Sequence, residues 1–272
     1  MIETKEKRIT KIILMLSLPL AALTAFASFA GVFLQSTYAR ETVNWAVQGI
    51  GQDIVNLFIV VPTLLIATFY VYRQNKTALM VWSGAVFYLA YSYVIYGFGL
   101  HFNNLFIVYC AILGLSVYSF LYFIITYSKQ NISGWFENTT PNRTTAIFFF
   151  IIAGLFSILW LSEIIPAMLS NSVPVGVADV GLLVNPVHVL DLAICLPALV
   201  IIGLLLLKRK AMGYLLAPAM LMFSMLMSTA IFAMVFAMKL KNLPTNIPLS
   251  IVFGVLAAIS LFILAKFLRK LK

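Results

Sequence analysis

Five polar side chains set in apolar surroundings mark where this chain could do chemistry: Asp53, Asn56, Glu163, His188 and Asp191. Asp53 and Asn56 are three residues apart, as are His188 and Asp191, and on a helix the positions i and i+3 share one face. Carboxylates and an imidazole presented by facing helices can bind a cation, relay protons or ligate a metal. No spacing as specific as HExxH accompanies them, nor any GxGxxG or GxxxxGK[ST]. A metal therefore remains an alternative resting on two histidines and three acids, and the sequence names no cofactor. Cys110 and Cys195 lie singly in apolar runs, without CxxC spacing, and read as small core residues.

The elements that position these residues follow from composition. Of 272 residues, 63% are hydrophobic and 10% charged, against roughly 45 to 50% and 25% in an ordinary soluble domain. With a mean hydropathy of +1.05, too little polar surface remains to face water, so a soluble globular fold is excluded and the main partner is the lipid bilayer. The net charge of +10 would suggest nucleic acid in a soluble domain, but here the basic residues sit in short runs between apolar stretches. No nucleic-acid partner is expected.

A hydrocarbon layer about 30 Å thick requires about 20 mostly apolar residues per helix. Eight such runs occur, at 12–34, 52–72, 78–100, 105–127, 145–168, 187–207, 212–238 and 248–266. The fold expected is an all-α integral membrane protein of about eight transmembrane helices in a single polytopic domain, 1–272. The first run follows Lys5, Lys7, Arg8 and Lys11 and precedes Ala25 and Ala27, as in a signal peptide, but its apolar core is too long and reads as a first span. Of the 18 basic residues, only Arg40, Lys239 and Lys241 fall outside one alternating set of segments. The positive-inside rule then places both termini in the cytoplasm of a bacterial-type cell, with the chain in its inner membrane. The sequons at Asn75, Asn131, Asn138 and Asn142 fall on that same side, where no glycan would be added.

At an offset of 135, Asp53 aligns with His188, Asn56 with Asp191, Pro62 with Pro197 and Arg73 with Lys208. Spans 2 and 6 thus share a pattern: a polar pair near the outer end, a proline half-way down and a basic residue at the inner end. A duplication into repeats 1–135 and 136–272 would give two parallel four-helix halves, since four spans preserve orientation. The prolines remove a backbone donor and can kink their spans.

On this topology the five polar residues lie towards the outer face, with Asn56 and Asp191 roughly 6 Å inside the span boundary at 1.5 Å per residue. Tyr88, Tyr91, Tyr118 and Tyr122 fall well inside spans 3 and 4, where each hydroxyl needs a partner. The methionines of span 7 read as flexible packing. Outer loops 35–51 and 169–186 occupy equivalent places in the two halves, and the second is apolar enough to lie in the interface or fold over the site. The run Gly51–Tyr118 and the stretch Asn185–Asp191 resemble bacterial membrane proteins to which no activity attaches, so the resemblance implies no residue role.

Three functions fit these residues. The first is a permease or transporter-like protein with an outward-facing site for a cation, proton or small polar solute. The second is a membrane enzyme at the outer leaflet, with His188 and a carboxylate as acid/base or metal ligands. The third is a non-catalytic partner subunit in which the polar groups join helices.

Overall fold

The computed structural model describes residues 2–272, with side chains described from Glu6 onward; Lys5, counted above among the orienting basic residues, lies outside the described side chains. Among the described residues eight helices are long and apolar enough to cross a membrane. They are α1 (Ile2–Phe33), α2 (Val43–Tyr72), α3 (Lys76–Gly99), α4 (Phe106–Tyr127), α5 (Asn142–Leu169), α6 (Pro186–Leu207), α7 (Ala211–Leu240) and α8 (Ile247–Leu268). The helix ends fall within a few residues of the apolar runs except at the starts of α1 and α2, ten and nine residues before theirs. At the start of α2 the Thr42 hydroxyl accepts from the Trp45 amide and caps the helix. Trp45 and Gly49, expected in a loop, are helical.

The helix-joining segments sort into two ends of the bundle. At one end the Lys272 amide donates to the Trp135 carbonyl, Lys76 Nζ reaches the Lys272 carbonyl at 3.2 Å, and Phe136 pairs with Leu271 in an isolated bridge. Lys270 pairs with Glu137 there at 3.1 Å. Hydrogen bonds from Thr139 and then Lys270 hold the Glu137 carboxyl below the usual glutamate range. Three sequon asparagines serve structure at this end: Asn75 and Asn131 cap their helices and Asn142 donates to the Tyr214 hydroxyl. At the far end Arg40 donates to the Phe102 carbonyl, the His101 amide to Glu41 and Thr42 to the Val180 carbonyl. The loops that carry Arg40, His101 and Val180 thus meet at the far end.

In the core, α3 and α7 lie side by side, α2 packs against α7, and α6 against both α5 and α7. Close approach requires small residues where side chains would otherwise hold backbones apart. A Cβ on Gly84 of α3 would lie 2.7 Å from the Ala219 carbonyl of α7, and one on Gly51 of α2 would lie 2.6 Å from the Met234 backbone. α1 is built into the bundle, packed on α2 and α4, with Ser17 accepting from the Trp82 indole at 2.8 Å. Only 28% of the α4 span is buried inside the bundle, and Tyr118 is 69% exposed.

Both α2 and α6 widen into a five-residue π turn, at Asn56–Val60 and Asp191–Cys195. The cause lies just downstream. Pro62 and Pro197 have no amide to give the carbonyl four residues back, and their rings crowd it. The Val61 and Leu196 amides instead reach five residues back, to the Asn56 and Asp191 carbonyls. The two turns are offset by 135 residues, as are the ends of α2 and α6 and the left-handed residues that follow them, Gln74 and Arg209.

Candidate functional site

The five polar residues form two groups. The first is closed. Asp53 is 1% exposed and accepts from two tyrosines, Tyr38 on the loop after α1 and Tyr96 on α3, the latter at 3.0 Å. One turn further, Asn56 accepts from Tyr88 at 2.9 Å. Gly31 of α1 makes room for this arrangement, because a Cβ there would fall on the Asp53 carboxylate. Gly49 does the same for Tyr38, whose ring would lie 2.8 Å from an added Cβ. Buried polar groups must be paired, and here a carboxylate ties α1, α2 and α3 together through tyrosines.

The second group lies between α5, α6 and α3. Asp191 Oδ1 accepts from Tyr91 at 2.9 Å and Oδ2 from the Trp160 indole at 2.8 Å. His188, one turn earlier, lies against the Trp160 ring at 4.7 Å between centroids, with Nε2 3.7 Å from Glu163. Trp160 and Glu163 of α5 are themselves three apart, so two i, i+3 pairs on neighbouring helices face one another. Glu163 also accepts from the Gly176 amide at 3.0 Å, pinning the short helix Val175–Asp179 over this end. Val177 and Val180 of that apolar loop are buried, whereas Leu183 is almost wholly exposed.

A cavity of about 400 Å³ adjoins the second group. Its walls come from α2, α3, α5, α6, α7 and α8, and run from Trp45, Asn185 and Leu249 near the far end down to Ile152 and Leu199. Asp191 supplies its single carboxylate, and no lysine, arginine or histidine lines it among the described residues. Gln52 is buried and reaches it from α2, with Nε2 lacking a hydrogen-bond partner. Ser224 and Ser228 add hydroxyls from α7. Of the five expected residues, Asp191 alone lines the cavity. Asp53 and Asn56 are separated from it by Gln52 and Tyr96, while Glu163 and His188 stand behind Trp160.

Trp160, Tyr96, Gln52 and the α7 serines were not singled out by sequence. Trp160 did carry a signal, its i, i+3 spacing to Glu163; the others did not. Of the inner tyrosines, Tyr88 and Tyr91 each bind one polar group, while Tyr118 is exposed. Among the described residues no group of three or more His, Cys, Asp or Glu is placed to hold one metal ion, so the metal alternative lacks a ligand set. Cys195 is buried in the wall of the cavity, unpaired.

Fold and site together define an all-helical bundle with eight membrane-spanning-capable helices among the described residues and a cavity between them with a carboxylate in its wall. Comparison with protein-family models, curated proteins and solved structures returns no match, so function rests on the residues themselves.

Proposed function

We propose that this chain is a multi-pass carrier of a bacterial-type inner membrane, with both termini cytoplasmic and the cavity accessible from the outer side. The observation that carries the reading is the 400 Å³ space among six helices with one carboxylate in its wall. Carriers place substrate sites deep between helices, at breaks in helix regularity, and repeat-built carriers place them between their halves. The cavity fits that description: its walls come from both halves and Asp191 opens a π turn. π turns inside α-helices recur at functional sites.

The same reading takes 1–135 and 136–272 as parallel repeats. It is supported by the common register of the π turns, prolines and left-handed helix ends. The packing has a matching pattern: α2 of the first half lies on α7 of the second, and α6 of the second touches α3 of the first. Asp191 meets the solute, Glu163 and His188 support the indole that orients it, and Asp53 with Asn56 braces the first half. The outer-leaflet enzyme, which would use His188 with a carboxylate, is less well served, because His188 does not line the cavity.

Flux into proteoliposomes tests the carrier reading, with a panel of monovalent cations, protons, organic cations and neutral polar solutes. Uptake of one class, slowed at least tenfold by Asp191→Asn, is the expected result. Absence of flux across the whole panel, with folded and reconstituted protein, overturns it.

A further inference from the structure

We propose that the cavity binds an organic monocation with an apolar body. The inference rests on the carrier site described above and names its ligand class. Three observations carry it. First, both Asp191 oxygens accept hydrogen bonds, from Tyr91 and from Trp160, and neither donates. That pattern suits an ionised carboxylate, since the acid form would need an acceptor for its own proton. Second, among the described residues the cavity wall holds no basic side chain to pair with the charge; Lys239, one turn beyond the lining residue Val235, is exposed. His188 stands between two carboxylates, Glu163 and Asp191, so even a protonated imidazole leaves the trio one negative charge in excess. A cation in the cavity would complete the pairing that a poorly solvated carboxylate requires.

Third, the surroundings of Asp191 suit an apolar cation better than a hydrated metal ion. Seven aromatic side chains line the space, among them Trp45, Tyr91, Tyr96, Trp160 and Phe223. Rings attract cations through their faces, Trp most strongly, and quaternary ammonium groups are the ligands that aromatic cages recognise. A small inorganic ion would demand several oxygen ligands at short range. Here one carboxylate, three carboxamides and four hydroxyls are spread over a volume many times larger than such an ion. An apolar body of drug-like size fills the same volume and displaces weakly held water from apolar walls.

A pair of probes with the same shape and different charge decides the matter. Benzyltrimethylammonium and neopentylbenzene differ by a nitrogen for a carbon, so equilibrium dialysis with the purified full-length protein isolates the contribution of charge. The cation is expected to bind saturably and at least about tenfold more tightly than its neutral isostere. Asp191→Asn should weaken the cation by about 30-fold and leave the isostere unchanged. Glu137→Gln, an acid-to-amide change at the opposite end of the bundle, should alter neither.

Because Asp191→Asn leaves one of its two donors without an acceptor, its melting temperature is measured in parallel, and Ser224→Lys provides a second route. That variant keeps Asp191 and supplies a tethered ammonium to the cavity, so it should abolish cation binding. Equal affinity for the two probes, no cation binding to folded protein, or full cation binding by folded Asp191→Asn overturns the inference. Discriminating binding without counterflow in proteoliposomes supports the cation site and overturns the carrier reading instead.

Discussion

The Asp53 and Asp191 centres occupy positions that differ by three residues in the 135-residue register, and the protein treats them in opposite ways. Around Asp53 the helices close: α1 packs against α4, a loop tyrosine folds in, and glycines at 31 and 49 bring the elements together until 1% of the aspartate is exposed. Around Asp191, α5 and α8 touch through Phe156 and Phe253 at 5.9 Å between ring centroids, and a cavity remains beside the carboxylate. Both aspartates accept from an α3 tyrosine and from one further donor. The difference therefore lies in packing rather than in hydrogen-bonding chemistry. A closed centre braces; an open one can exchange its surroundings for a ligand.

The largest effect should come from removing the closed carboxylate. Asp53→Ala strands two buried hydroxyls and is expected to cost about 3 kcal/mol, while Asp191→Ala, whose donors border a cavity, should cost about 1 kcal/mol. Thermal unfolding in detergent measures both, and equal losses would break the contrast. Next in size is Gly31→Ala, expected to destabilise by about 2 kcal/mol because the new methyl falls on the Asp53 carboxylate. Its counterpart is Gly154→Ala on α5, where nothing lies within 4 Å, which should stabilise by up to about 1 kcal/mol. The same melting series tests that pair.

Smaller still is the tyrosine comparison. Tyr88→Phe leaves a wholly buried Asn56 oxygen without its donor and should cost about 1 kcal/mol; Tyr91→Phe should cost less, since Asp191 keeps the Trp160 indole. The smallest effect is expected far from both centres. The folded-state pKa of Glu137 is lowered, by Thr139 first and Lys270 second, so its contribution is present above the ordinary glutamate range and lost as pH falls through the lowered value. Melting curves of the wild type and Glu137→Gln should differ slightly at neutral pH and converge in acid, and a gap that widens on acidification would refute the pairing.

Sequence alone located the eight helices because hydrophobic length is a one-dimensional property. It also paired 53 with 56 and 188 with 191, because i, i+3 geometry is local. It did not separate the closed centre from the open one. Each helix is apolar nearly all round, so periodicity does not say which face meets which neighbour. Tyr38 is a loop residue until the chain folds back onto Asp53, and Gln48 and Gln52 share a helix face that only the packing turns towards the cavity. The early start of α2 was hidden by Asn44, Gln48 and Gln52, polar residues that lower hydropathy without ending the helix. The prolines were visible and suggested kinks; that each would widen one turn depended on which upstream amides could reach a carbonyl five residues back.

The two π turns have a consequence for how the chain tolerates changes in length. A π turn accommodates one residue more than an α-helical path between the same flanking segments. Deleting a residue in most of α2 or α6 would swing everything beyond it by about 100° and carry lining side chains out of register. Taking one from within 57–59 or 192–194 would let the turn tighten while the flanking segments keep their facing. These spans thus contain built-in slack, and single-residue deletion there is the gentlest way to move a polar pair relative to its partners without repacking the bundle.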